Sequence, residues 1–319
     1  MPGKPSHNKW TSNGKLMISG EYLVLAGARA LAMPVSYRQT LNVAQQPSPE
    51  PALDWGTQIK GEMWLQARFS LQDLEPSGRS CESLRFVKQI LKAARTLNPD
   101  FLAGQYHWEA VSNIGFEREW GLGSSSSLIS NIAWWANVNP YALFFKVSGG
   151  SGYDIACARN SHPVLYSYQG VHMPPLVETT SFNPVFGDQV VFVYSGRKQS
   201  SEKSLRTFDP AGVRPEDIRK ISALSGKMAV TQSLPEFMEA MEQHEKITAA
   251  YLHRTPVQAD FFPDFPGSVK SLGAWGGDFL MAAADRTQEE IIRYFHHKGY
   301  RTIIPFPEMR FRADKTTSK

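Results

Sequence analysis

The sequence predicts an α+β fold, on three observations. Strand-like and helical segments mix in both halves without the strict alternation of a doubly wound parallel sheet. Apolar strand-like stretches flank glycine turns twice, around Ser19-Gly20-Glu21 and again within residues 268–284. Hydrophobic residues make up 42% and charged residues 20%, a balance that buries a core. At 319 residues the chain suits one large domain or two medium ones. The stretch 170–188, rich in Pro, Gly and Asn, places a boundary between a domain over 1–180 and one over 181–319.

Taken in order, residues 1–13 read as a loose polar lead-in. Leu16-Met17-Ile18 reads as a strand, Ser19-Gly20-Glu21 as a turn and Tyr22-Leu23-Val24-Leu25 as a second strand. Gly27 punctuates before Ala30-Leu31-Ala32-Met33. Residues 46–56, broken by Pro and Gly, read as a loop, and 62–71 alternate as a strand does. Leu84, Val87, Ile90 and Leu91 have helical spacing over 82–97, and Asn98-Pro99 ends that helix. A strand follows at 105–111. A helix then runs to about Val138, with Pro140 closing it. In the second half a strand at 189–194 precedes helices near 215–232 and 235–253. A strand, glycine turn and strand fill 268–284, a helix spans 287–297, and 300–306 form a last strand.

Composition removes several function classes. Lys and Arg number 34 against 30 Asp and Glu, for a net charge of +4. That mild excess, without a long basic run, argues against nucleic acid and suits a small anionic substrate. Two cysteines, Cys81 and Cys157, supply neither a disulfide framework nor a four-cysteine zinc site, so a reduced, cytoplasmic setting is expected. No apolar run is long enough for a membrane span, and the polar N-terminus carries no signal core. The paired aromatics Trp134-Trp135 and Phe144-Phe145 suit a core or a homodimer contact better than a cofactor box. His296-His297 have no third ligand spaced to join them, and 236–245 reads as a mixed-charge amphipathic surface.

The chemistry concentrates in glycine-marked segments. Gly121-Leu122-Gly123-Ser124-Ser125-Ser126-Ser127 runs into a helix through Leu128, Ile129, Ile132 and Ala133. Its glycines allow close backbone approach, and the helix start offers free N–H groups to an anion. A serine hydroxyl there can also ligate magnesium beside phosphates. The alternative is a serine-capped helix after a flexible loop. Neither the Walker nor the Rossmann glycine pattern fits. In Ser148-Gly149-Gly150-Ser151-Gly152-Tyr153-Asp154, one carboxylate follows three glycines. Asp154 reads as a base, a lysine partner or a metal ligand, or as a plain N-cap. Lys15, at a glycine-marked strand, can neutralise phosphate or remain solvated surface. Glu21 is a turn carboxylate, and its hydrogen-bonding role there is the plainer reading. Gly273-Ala274-Trp275-Gly276-Gly277-Asp278 is a hairpin turn or a close approach to phosphate. Arg197, Lys198 and Ser200, after the strand ending at Tyr194, suit a second anionic group.

Together these segments resemble the GHMP kinase superfamily. Gly14-Lys15-Leu16 through Gly20-Glu21-Tyr22 to Ala30-Leu31-Ala32-Met33-Pro34 is similar to its first motif. Residues 121–125 are similar to its phosphate-binding motif, and 268–277 to its third. Within the superfamily the likeness is to phosphomevalonate kinases, then mevalonate kinases. It rests on Tyr22 after Glu21, Trp120 before the loop, Gly152-Tyr153-Asp154-Ile155-Ala156, the Gly276-Gly277-Asp278 ending, and the segment 194–201. Asn13 stands where the family has Pro, and Trp275 where it has Gly. Residues 128–147 hold no acid, where mevalonate kinases have a magnesium ligand.

The resemblance implies an N-terminal α+β domain and a C-terminal ferredoxin-like α+β domain, with ATP and substrate in the cleft between. It implies ATP and Mg2+ as cofactors, with phosphomevalonate phosphorylated in the mevalonate pathway of isoprenoid precursors. Mevalonate kinase, a diphosphomevalonate decarboxylase-like enzyme and a non-catalytic metabolite-binding homologue are the alternatives. On this reading Gly121, Leu122, Gly123, Ser124, Ser125, Ser126, Gly276 and Gly277 hold the nucleotide, with Ser125 on magnesium. Lys15 and Asp154 are catalytic. Glu21, Tyr22, Ser151, Gly152, Arg197, Lys198 and Ser200 meet the substrate.

Overall fold

The computed structural model describes residues 6–78, 81–196, 208–275 and 277–312. The chain forms a mixed α+β structure with eleven strands and nine α-helices among the described residues. It divides into two compact units, each assembled from several stretches of chain. The first holds Met1–Gly14, Tyr37–Arg118 and Gly123–Arg159; the second holds Lys15–Ser36, Glu119–Leu122 and Asn160–Lys319.

In the first unit, β3 (Ala52–Ile59) is the centre of a ladder. It pairs antiparallel with β4 (Glu62–Ser70) and parallel with β5 (Tyr106–Ile114). Beyond β5 lies the later part of β2 (Ala30–Pro47), antiparallel, with Gln39 opposite Ile114 and Pro47 opposite Tyr106. Four helices bury against this sheet: α1 (Glu82–Leu97), α2 (Ser124–Trp135), α3 (Pro140–Val147) and α4 (Tyr153–Arg159). Leu84, Val87, Ile90, Leu91 and Ala94 form the buried stripe of α1, the spacing of an amphipathic helix. They share a core with Leu41, Val43, Leu53 and Trp55 of the sheet and Ile129 and Ile132 of α2.

Helix α2 is also anchored by polar groups inside this unit. The Gln39 carboxamide donates to Ser112 Oγ at 2.8 Å and accepts from Ser127 Oγ at 2.5 Å. Ser12 Oγ donates to Asn131 Oδ1 at 2.9 Å, and Asn131 Nδ2 donates to the Gln39 carbonyl at 3.0 Å. All five side chains are buried, so each must find its partners within the protein.

In the second unit, Ala30, Leu31 and Ala32 at the start of β2 pair antiparallel with β6 (Val164–Ser167), which pairs with β7 (Leu176–Thr179). A separate antiparallel sheet has the order β11-β8-β10-β9: Ile303–Pro305, Val190–Tyr194, Phe279–Ala284 and Gly267–Ser271. Helices α5 (Pro215–Val230), α6 (Leu234–Leu252) and the short α7 (Val257–Phe261) lie between β8 and β9. Helix α8 (Gln288–His297) lies between β10 and β11, and α9 (Phe306–Met309) follows. This β-α-β-β-α-β order is the ferredoxin-like pattern. Local signals place the helix starts: Pro215 in the first turn of α5, the Ser233 cap on α6, and a capping box of Thr287 with Glu290 on α8.

Several elements differ from the sequence reading. The lead-in is not loose, because residues from Ser6 onward belong to β1 (Ser6–Ser19), held by main-chain pairing with β2. Leu23–Ala26 is a 3-10 turn, not a strand. Tyr22 at φ 62° and Gly27 at φ 96° bend the backbone at both ends, and a short apolar run has no periodicity to reveal that. Only 48–51 separate β2 from β3, so the loop expected over 46–56 is mostly strand. Helix α2 stops at Trp135, and Pro140 opens α3 behind an Asn139 cap instead of closing α2. The last strand is three residues long, and Phe306–Met309 is helical.

The Gln39 network predicts a measurable cost. Gln39→Leu strands the Ser112 hydroxyl and removes a partner of Ser127. It is expected to lower stability by on the order of 2–3 kcal/mol, read from the urea midpoint at unchanged slope.

Candidate functional site

Several candidate side chains of the second unit lie on or near the turn that ends β1. Lys15 is half-buried, and its backbone N–H donates to the Leu122 carbonyl at 2.9 Å. The lysine and the first part of the glycine-serine loop are therefore adjacent. Leu122 is fully buried, so its side chain is core and only its backbone can serve a ligand. Gly20, at φ +94°, passes so close to Ala30 that a Cβ would lie 2.6 Å from the Ala30 Cβ. Only glycine fits there.

Glu21 follows, and its carboxylate is buried. Lys270 Nζ, also buried, donates to Glu21 Oε1 at 2.6 Å, to the Ile18 carbonyl at 3.0 Å and to the Ser271 carbonyl at 2.8 Å. All three ammonium protons are thereby used. Gly20 N–H donates to His244 Nε2 at 2.7 Å. That bond requires a lone pair on Nε2, so the imidazole is neutral with its proton on Nδ1. Burial, and then the Lys270 charge, hold its pKa well below the usual value. The 3.2 Å approach of Glu21 Oε2 to His244 Nε2 is accordingly not an ion pair. Burial raises the pKa of Glu21, with Lys270 opposing. The neighbouring Glu245 accepts N–H bonds from Ser271 and Val257, and burial pushes its pKa up to about 7.

Tyr22 leaves this turn at φ 62°, with its ring 5.6 Å from that of Phe208. Its Oη accepts the Trp275 N–H at 2.9 Å. The turn holding Gly273 and Trp275 joins β9 to β10 as a hairpin, closed by Leu272 N–H to the Phe279 carbonyl at 3.0 Å. Asp278 ends that hairpin. Its carboxylate lies so close to Gly121 that a Cβ on Gly121 would be 2.1 Å from Oδ2. Gly277 is buried beside it; Gly276, Arg197, Lys198 and Ser200 lie outside the described residues.

In the first unit, Gly123 begins α2 at φ 89° and offers no side-chain cap. The helix ladder starts with Ser127 N–H to the Gly123 carbonyl at 2.9 Å, leaving the amides of Ser124, Ser125 and Ser126 directed beyond the helix start. The four serines differ. Ser126 Oγ and Ser127 Oγ turn back to the Gly123 carbonyl, at 3.1 and 2.9 Å. Ser125 is exposed and Ser124 half-buried. Ser151 and Gly152 are buried just before α4, and Gly152 has φ 83°. Asp154 is half-buried and is the second residue of α4, inside its first turn, not the N-cap.

Sequence reasoning missed His244, Glu245, Lys270 and the close approach of Asp278. The first two were placed on a charged surface and are buried instead. The signal was present: Phe237, Ala240, Met241, His244, Glu245 and Thr248 continue one stripe at helical spacing. Lys270 stands in a strand whose residues from Ser268 to Ser271 are all buried.

No family model and no curated protein sequence matches the chain. Solved structures do, over nearly its whole length. The mevalonate kinase of Methanococcus jannaschii aligns with a TM-score of 0.69 at 15% identity, covering 98% of this chain and 100% of that one. The Streptococcus pneumoniae phosphomevalonate kinase, in complex with phosphomevalonate and AMPPNP, aligns with a TM-score of 0.69 at 14% identity, covering 93% and 99%. The Lactococcus lactis galactokinase complexed with galactose gives 0.63 at 12%, covering 96% and 94%. All three are GHMP kinases. This chain has the GHMP kinase fold. No helix among the described residues is long and apolar enough to cross a membrane.

Within the GHMP kinase fold of this chain, two consequences can be measured. Gly121→Ala places a methyl group against Asp278 at a left-handed backbone position. It is expected to cost roughly 2–4 kcal/mol, with the steric part recovered in the Gly121→Ala, Asp278→Ala double variant. Glu245 gives a pH dependence of definite sign. Its folded pKa lies above its unfolded one, so the folded chain holds that proton more tightly. The stabilisation is complete below the unfolded value and is lost as pH rises through about 7. Thermal melts from pH 5 to 8 are expected to lose on the order of 2–3 kcal/mol from this group, and Glu245→Gln to flatten that slope.

Proposed function

We propose that the chain is an ATP-dependent small-molecule kinase of the GHMP type acting on phosphomevalonate. The observation that carries this is the near-complete alignment with a kinase whose structure holds phosphomevalonate and AMPPNP. The start of α2 supports it: an uncapped N-terminus after a left-handed glycine, three serine amides directed outward and an exposed Ser125 hydroxyl. Phosphates are the ligands such a helix start favours. The resemblance of Glu21-Tyr22, Gly152-Tyr153-Asp154 and the Asp278 ending to phosphomevalonate kinases supports that substrate over mevalonate.

Each residue then has a task. The amides of Ser124, Ser125 and Ser126 bind nucleotide phosphates, and Gly121 and Gly123 keep side chains out of their way. Ser125 Oγ fits magnesium as one oxygen ligand. Bound magnesium neutralises phosphate charge as the phosphoryl group transfers. Lys15 supplies fixed positive charge to the transferred group. Asp154 orients the acceptor or takes its proton. An alcohol acceptor needs that base; a phosphate acceptor, with a second pKa of about 6, is already largely ionised.

The test is a substrate screen with purified protein, ATP and magnesium, comparing mevalonate with its 5-phosphate. Transfer to the 5-phosphate without release of inorganic phosphate is the expected result. Phosphate release signals a decarboxylase, and nucleotide binding without turnover on either substrate signals a metabolite sensor. On the 5-phosphate, Lys15→Ala is expected to lose at least about a hundredfold in kcat/KM. Asp154→Asn is expected to stay near wild type. If both variants match wild type, the residue assignment fails.

A further inference from the structure

The geometry points to a positioning role for the Glu21-Tyr22 dipeptide: it clamps the hairpin turn between β9 and β10, and Lys270 and His244 lock the dipeptide in place. Tyr22 Oη holds a backbone amide of that turn, the Trp275 N–H, at 2.9 Å, and the Glu21 carboxylate takes the Lys270 ammonium that also holds the Ser271 carbonyl at the foot of the turn. The dipeptide is itself fixed from behind. Lys270 Nζ spans the Ile18 carbonyl, Glu21 Oε1 and the Ser271 carbonyl, joining the end of β1 to the end of β9. His244 Nε2 holds the Gly20 amide. Glu21, Lys270 and His244 are each at least 95% buried, so none is placed to meet a ligand from solvent. A glycine turn has high backbone freedom, and a turn that must meet a ligand gains affinity when that freedom is removed beforehand. In naming a nucleotide as the ligand, the inference rests on the kinase reading. The clamp itself does not.

Amide hydrogen exchange of the full chain without ligand tests the clamp. Tyr22→Phe removes one acceptor and little volume. It is expected to speed exchange at Trp275 about fivefold while leaving Gly273 near wild type. The paired variant Lys270→Met, Glu21→Gln replaces the ion pair with neutral groups of similar size, a change proteins commonly tolerate. It is expected to melt near wild type and to speed exchange at the Trp275 amide. An unchanged Trp275 rate in Tyr22→Phe overturns the inference, as does a paired variant with wild-type melting and wild-type exchange. ATP with magnesium, added to the wild type, is expected to slow exchange over 272–278, and Tyr22→Phe to raise KM for ATP about fivefold. If the variants loosen the turn but ATP never protects it, the clamp stands and the nucleotide reading falls. If ATP protects the turn and the variants leave exchange unchanged, the clamp falls and the kinase reading stands.

Discussion

The second unit depends on one buried ammonium group. Lys270 is fully buried, and taking its charge out of water is costly unless every proton is matched. Here each is matched, by two main-chain carbonyls and one carboxylate. Such a pair is weak evidence for net stability, but removing one partner typically costs about 3–5 kcal/mol. Its value is register. The three acceptors come from the end of β1, the turn after it and the end of β9, so the ammonium fixes three pieces of chain at one point. Neutral His244 then takes the Gly20 amide, and Glu245 takes those of Ser271 and Val257.

Glycines carry the complementary constraint of absent volume. Gly20 rides on Ala30 and Gly121 on the Asp278 carboxylate. In the second case the loop backbone approaches a charged group more closely than any side chain would permit. That holds the Asp278 carboxylate directly against the Gly121 backbone.

Much of this was legible in the sequence, because local signals and tertiary structure agree. The helices at 82–97, 215–230, 234–252 and 288–297 announce themselves by apolar spacing, proline starts and caps. The ferredoxin-like order was implied by the GHMP resemblance, and the helices and the glycine-marked hairpin of the second half fall where it requires. Gly123, Ser125, Lys15 and Asp154 stood out because glycine turns and lone charges are local features. What failed was non-local. Ser6–Ser19 is a strand because β2 lies beside it, and a polar composition conceals that. His244 and Glu245 look like surface until their partners 224 and 26 residues away are known. Tyr22-Leu23-Val24-Leu25 has the composition of a strand and is bent by the backbone angles at its two ends.

The interleaving of the two units has a consequence for how the protein is made. Ser19 waits for Ser225, Gly20 for His244 and Glu21 for Lys270, separations of 206, 224 and 249 residues. During synthesis the first strand emerges long before the groups that complete it, and closing loops of that length slows folding more than it weakens the final state. The first unit has all of its segments once Arg159 has been made; the second has to await β9 and β10. The stretch bearing Lys15, Glu21 and Tyr22 is therefore among the earliest parts of the chain to be synthesised and among the last to reach its final form.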